Sequence, residues 1–266
     1  MTDSSILETS SVSCSIEGKM ILDSVSFDVL KGEFVSLIGP NGAGKTTLLK
    51  CLMKILPLDS GSVLLDGHAI GSLSQKRLAS YTAYVPQADS RYLPFTVEEF
   101  VMTGRYPHLS PFTACSAKDR SFVREAMDRT GTGSLAPRRM SGLSGGERQL
   151  VMIAAALAQG AQILLLDEPA AFLDPGHESS VMRLLREINT RDGTTVVMVT
   201  HDINRAILTS MRTLVLDHGR VEYFAGSAEL TSSGVLERIY GRRFDYIRHP
   251  LSGVDIILPD VTDNES

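Results

Sequence analysis

Residues 34–47 read FVSLIGPNGAGKTT, and this stretch restricts the possible folds of the 266-residue chain more than any other. Phe34 to Ile38 have the composition of a buried strand. Glycines at 39, 42 and 44 then interrupt it, and from Lys45 the run KTTLLKCLMKI sets Leu48, Leu49, Leu52 and Ile55 on one helical face. A strand that turns through glycines straight into a helix aims several backbone N–H groups, and the positive end of the helix dipole, at one point. Phosphate belongs at that point. In the spacing Gly39-x4-Gly44-Lys45-Thr46, the loop Gly39, Pro40, Asn41, Gly42, Ala43 and Gly44 would wrap nucleotide phosphates. Lys45 would reach the β- and γ-phosphates, and Thr46, followed by Thr47, would offer a hydroxyl to Mg²⁺.

A second segment supplies the complementary chemistry. Ile163 to Asp167 (ILLLD) reads as a buried strand that delivers Asp167 to the carboxyl edge of a parallel sheet, where it would share the Mg²⁺. Glu168, the next residue, is placed to act as general base toward an attacking water. An acidic turn after any buried strand would look the same; beside a phosphate loop the catalytic interpretation prevails. Gln87 follows the strand-like YTAYVP, and His201 ends TTVVMVT, again at a strand's carboxyl end. His68, His108, His177, His218 and His249 have no such placement and read as surface or structural residues.

Composition excludes several alternatives. With 43% hydrophobic and 21% charged residues the chain is globular, and a net charge of −5 argues against nonspecific nucleic-acid binding. Cys14, Cys51 and Cys115 have no metal spacing and make no disulfide framework, which points to a reducing compartment. The opening MTDSSILETS lacks the parts of a signal peptide, and the apolar region Leu150 to Leu166 is broken by Gln159, Gly160 and Gln162. Any membrane role is therefore peripheral.

Strand-like segments (VSFDVL, FVSLI, SVLL closed by Asp66-Gly67, ILLLD, TTVVMVT, TLVLD, RVEYF) alternate with helical ones, which predicts an α/β fold with a mainly parallel sheet. A mainly helical insertion is expected at about 88–160. Within it, SAKDRSFVREAMDRT sets Phe122, Val123, Ala126 and Met127 opposite a polar face of Asp119, Arg120, Arg124 and Asp128. Residues 1–10 are expected to be an N-terminal extension, 11–245 the nucleotide-binding domain and 246–266 a tail, acidic and loosely held from about Asp255.

Between the two site segments stands LSGGERQ (143–149), and with it the ordered set GPNGAGKTT, VPQ, LSGGERQ, ILLLDEP, FLDPGH and VTHD resembles the ATP-binding subunits of ABC transporters over residues 11–240. The resemblance implies a P-loop NTPase core, an antiparallel β-subdomain near the amino terminus and a helical subdomain between Gln87 and the signature segment. It implies two copies paired head to tail, with ATP enclosed between the phosphate loop of one and Ser144, Gly145 and Gly146 of the other. Carried over, Glu168 is the general base and His201 the γ-phosphate switch. Gln87 senses Mg²⁺, water and membrane partner, and Leu173-Asp174 crosses the dimer interface. Two positions depart from the pattern. Ile16 stands where an aromatic residue usually stacks on adenine, so that contact would be apolar, and Ala155 replaces a common arginine.

TVEEFVMTGRYPHLSPF and REINTRDGTTVVMVTHDINRA further resemble the ATPases of bacterial importers for iron-siderophores, haem and vitamin B12. The implied partners are permease subunits and, indirectly, a periplasmic or extracellular substrate-binding protein, at the cytoplasmic face of the plasma membrane. Zinc or manganese importers carry a similar GRYPH-like segment and are the alternative. A soluble ABC protein acting on ribosomes or DNA would carry paired domains or long coiled coils, and a simple P-loop kinase has no role for LSGGERQ or His201.

Overall fold

The computed structural model describes residues 4–87, 93–110, 115–171 and 173–259. The chain divides into two compact units, Met1–Gly71 with Val197–Ser266, and Ser72–Val196.

The first unit begins with strands β1 (Ser5–Ile16) and β2 (Lys19–Leu30), followed by β3 (Phe34–Ile38), helix α1 (Lys45–Leu52), β4 (Ser60–Leu65) and β5 (His68–Ala69). β1 and β2 form an antiparallel hairpin through Glu17 and Gly18, both at positive φ, and β4 and β5 extend it in the order β2-β1-β4-β5. The strand expected from Val25 therefore starts at Lys19. Residues 5–10 do not behave as an extension, because Ile6 and Leu7 are buried and the segment pairs with β2 and β4. α1 is shorter than its apolar pattern suggested. Lys54 takes a left-handed conformation (φ 53°) just past the helix, and Ile55 turns out to solvent, 56% exposed, while Leu48, Leu49 and Leu52 are buried.

The second unit holds α2 (Gln75–Tyr81), β6 (Thr82–Val85), α3 (Val97–Thr103), α4 (Ala117–Arg129), α5 (Gly145–Gln159), β7 (Ile163–Asp167) and α6 (Pro175–Asp192). Helices α3, α4 and α5 each open with a capping box: Thr96 with Glu99, Ser116 with Asp119, Ser144 with Glu147. Such caps contribute about 1 kcal/mol each and fix where the helices start. Val97, Val101, Val123, Met127, Met140 and Val151 form the core between them. The polar face expected of α4 is not wholly solvated. Asp119 is buried, accepting from Arg105 Nε at 3.1 Å, and Phe122 is displaced outward, 39% exposed, with the Arg105 guanidinium 4.4 Å from its ring centre.

At β8 (Thr195–Val199) the chain passes back into the first unit, which continues with α7 (Ile203–Thr209), β9 (Arg212–Asp217), β10 (Arg220–Gly226), α8 (Val235–Tyr240), β11 (Phe244–Arg248) and β12 (Asp255–Pro259). β3 pairs in parallel with β9, which pairs antiparallel with β10. β11 and β12 form an antiparallel hairpin (Tyr246↔Ile257). The tail is thus not loose at Asp255. Ile257 is buried with Ala206, Ile207, Leu236 and Phe244, which holds the hairpin to the unit.

Candidate nucleotide site

In the first unit all five residues of β3 are buried, so the strand delivers the loop from a fixed base. Gly39, Gly42 and Gly44 have φ of 146°, 81° and 101°, which L side chains avoid. At Gly39 a Cβ would also lie 1.9 Å from the Leu216 carbonyl oxygen, so only glycine fits there. Lys45 is 7% exposed, and its ammonium donates to the carbonyls of Gly39 (2.7 Å) and Pro40 (2.9 Å). The charge is thereby folded over the loop. Asn41 and Thr46 are exposed, Pro40 and Thr47 partly so, and Ala43 is buried. Ile16, at the end of β1, is 39% exposed. His201 follows β8 and is also exposed. With Asp202, Ile203, Asn204, Arg242, Phe244 and Ile257 it lines a cavity of about 190 Å³.

In the second unit β6 and β7 pair in parallel, Tyr84 opposite Leu165. Asp167 ends β7, 5% exposed, and its Oδ2 accepts from the Tyr84 hydroxyl at 3.3 Å. Burial, then the adjacent carboxylate, pushes the Tyr84 phenol well above its usual range, so it remains a donor. Glu168 leaves the strand in a left-handed conformation (φ 49°), and its Oε2 accepts from Gln87 Nε2 at 3.3 Å. Three sequence-predicted residues, Gln87, Asp167 and Glu168, thus sit together beyond the ends of two adjacent strands.

Ser144 and Gly145 are exposed at the amino terminus of α5, where Ser144 Oγ accepts from the Glu147 N–H (3.2 Å) and Glu147 accepts from Ser144 N–H (2.9 Å). The Ser144 backbone N–H, with the Arg138 guanidinium further out, holds the Glu147 carboxyl below its usual range. Gly146 is buried against the ring of His177, where a Cβ would fall 2.7 Å from Cγ and Cδ2. The imidazole is held in turn by the Asp174 carboxylate, which also accepts from the N–H groups of Gly176 (3.0 Å) and His177 (3.1 Å) to cap α6. The sequence reads His177 as surface or structural, and the structure gives it a structural role whose contact with Gly146 the sequence does not show. Its position three residues past Asp174, in a helix-capping segment beside the motif FLD, was the available signal. Phe172 of that motif lies outside the described residues; Leu173 is half-buried.

The class that this fold and these loops define agrees with the sequence comparison: the ABC transporter family model matches residues 22–171, and the chain belongs to that family. It is an ATP-binding cassette. It is 35% identical to the iron(3+)-hydroxamate import ATP-binding protein FhuC of Bacillus subtilis, across 97% of each chain. It is 40% identical to the hemin import ATP-binding protein HmuV of Streptomyces coelicolor, over 91% of this chain and 85% of that one. Among solved structures, a metal-chelate type ABC transporter in an inward-facing conformation superposes with a TM-score of 0.85 at 25% identity, covering 98% of this chain and 99% of the other.

Proposed function

We propose that this chain is the ATP-hydrolysing subunit of a bacterial importer for a metal chelate of the iron-siderophore, haem or cobalamin type. The observation that carries this reading is the end-to-end likeness to an iron-hydroxamate import subunit, 97% of both chains. The order of the site motifs supports it at the level of chemistry.

In the proposed reaction Lys45 and the N–H groups of the glycine loop bind the ATP phosphates, and Ile16 offers the adenine an apolar edge. Glu168 accepts a proton from the attacking water, Gln87 holds that carboxylate in orientation, and His201 contacts the γ-phosphate. Thr46 from the first unit, and Asp167 and Gln87 from the second, would supply the oxygen donors for Mg²⁺. Few protein oxygens beside substrate phosphates suit this ion, which takes one or two carboxylates and keeps its remaining positions for phosphate and water. The ion, when bound, neutralises charge on the phosphates.

The catalytic unit would be a head-to-tail homodimer, in which Ser144, Gly145 and Gly146 of one copy close on the nucleotide held by the other. Asp174 caps α6 and holds His177 behind Gly146, which supports a role for the Leu173-Asp174 segment at that interface. Loss of γ-phosphate would release the halves, and a permease docked on the helical insertion, about 88–160, would follow the motion. Among the described residues no helix is long and apolar enough to cross a membrane. By likeness to the import ATP-binding proteins, attachment would be peripheral, at the cytoplasmic face, with the substrate-binding protein reached only through the permease.

Reconstitution with the permease in vesicles tests the reading. A ferric hydroxamate, haem or cobalamin, each with a binding protein, should raise ATP turnover. Stimulation by zinc or manganese binding proteins in place of these would move the cargo, and partition onto ribosomes or DNA would reject transport.

A further inference from the structure

Beyond the residues already given roles, the first unit contains a clamp between two distant parts of the chain. The side-chain amide of Asn204, in the first turn of α7, binds the backbone of Ile257 twice. Its Nδ2 donates to Ile257 O at 2.8 Å, and its Oδ1 accepts from Ile257 N–H at 2.7 Å. A primary amide used this way imitates a strand neighbour, and it satisfies both polar groups of a residue that is only 5% exposed. Asn204 lies three residues past His201.

The segment between them is fixed at each step. Thr200 N–H donates to Leu37 O (3.1 Å), Asp202 N–H donates to Thr200 Oγ1 (3.1 Å), and the Asp202 carboxylate caps α7 by accepting from Arg205 N–H (2.9 Å). Asn204 is the step at which this run meets the terminal hairpin. Phe244 and Ile257 of that hairpin, with Arg242 just before it, form the wall of the 190 Å³ cavity opposite His201 to Asn204. A space of that size holds several waters, at roughly 30 Å³ each. His201 is exposed, and the backbone that carries it leads directly into this run of bonds.

We propose that Asn204 is a positioning residue that fixes the His201 segment against the β11–β12 hairpin, so that the hairpin takes part in γ-phosphate recognition. This rests on the reading of His201 as the γ-phosphate contact. The hairpin is then part of the nucleotide machinery, although it supplies no group that touches nucleotide.

Four full-length proteins test the proposal: Asn204→Ala, Asn204→Asp, His201→Ala and the double variant His201→Ala with Asn204→Ala. Loss of both bonds in Asn204→Ala should lower kcat roughly tenfold. Affinity for ADP, which lacks the γ-phosphate and is held at the Lys45 loop, should stay within about twofold of wild type. Asn204→Asp keeps the acceptor for Ile257 N–H but sets an anionic oxygen against Ile257 O, so its kcat should fall at least as far as that of Asn204→Ala. In the double variant Asn204→Ala should add no loss to His201→Ala, because the clamp acts through that histidine. Amide exchange should quicken at 202–209 and 255–259 in Asn204→Ala.

Wild-type kcat in a folded Asn204→Ala protein overturns the clamp while leaving His201 in place. Additive losses in the double variant, or equal losses of kcat and ADP affinity, reduce Asn204 to a structural role and also overturn it. Normal turnover in His201→Ala overturns both assignments, and that outcome identifies the histidine as the failed premise.

Discussion

The amide nitrogen of Gln87 lies 3.3 Å from Glu168 Oε2, so a residue just past β6 holds the proposed general base at the end of β7. Glu168→Gln keeps the shape and removes the proton acceptor. Its ATP turnover should fall by about 10²- to 10⁴-fold, while nucleotide still binds and a closed dimer accumulates. Steady-state phosphate release together with size-exclusion chromatography in ATP checks this. Near-normal turnover would reject Glu168 as base.

Lys45 tests the phosphate loop. Its ammonium is positioned by the carbonyls of Gly39 and Pro40. A charge-assisted bond to phosphate is worth about 1.5–3 kcal/mol, so Lys45→Ala should weaken ATP binding roughly 10- to 150-fold. Calorimetric titration with ATP reads this directly, and wild-type affinity would remove Lys45 from the site.

Gly39 tests the backbone of the same loop. The atom that an added Cβ would meet at 1.9 Å is a backbone oxygen of β9, which cannot swing aside as a side chain would. Gly39→Ala should therefore destabilise the protein by about 3 kcal/mol or more. Urea unfolding should show it even without nucleotide, whereas Gly42→Ala, with open space around its Cβ, should cost only the strain of its φ. Equal stability of the two variants would contradict the close approach to Leu216.

Asp119 makes stability depend on pH. The Ser116 hydroxyl first, then the Ser116 backbone N–H and the Arg105 guanidinium, holds its carboxyl down at about 2. A carboxyl lowered by folding contributes stability that is fully present above its unfolded pKa, near 4, and is lost as pH falls toward 2. Between pH 4 and 2 the wild-type Tm should drop more steeply than that of Asp119→Asn, measured by circular dichroism. Parallel curves would show that Asp119 does not carry this dependence.

The nucleotide loops were legible in sequence because their chemistry is local. Glycines at fixed offsets after an apolar run dictate the backbone of residues 39–44, and ILLLD can end only at a strand's carboxyl edge. What periodicity could not supply was the outcome of distant contacts. Asp119 falls on the polar face of α4 by spacing, yet Arg105, fourteen residues earlier, draws it inward. Ile55 continues the apolar stripe of α1, but the left-handed turn at Lys54 ends the helix first. Residues 246–266 read in sequence as a tail, loosely held from about Asp255, because the anchors of the hairpin, Asn204 and the core around Ile257, come from another part of the chain. The structural role of His177 could not be narrowed for the same reason: its partner Gly146 lies thirty-one positions away in the sequence.

Residue 168 is a place where fold and reaction favour different amino acids. A non-glycine residue at φ 49° carries strain on the order of 1 kcal/mol or more, which glycine would relieve. Selection for folding alone would therefore drift toward glycine there, and a protein so altered would be sturdier and, with its proposed base gone, inert. The proposed role as general base accounts for a non-glycine residue at this strained position. Searches for hardier versions of this chain should leave position 168 untouched, since its easiest gain in stability and its greatest loss of activity are the same substitution.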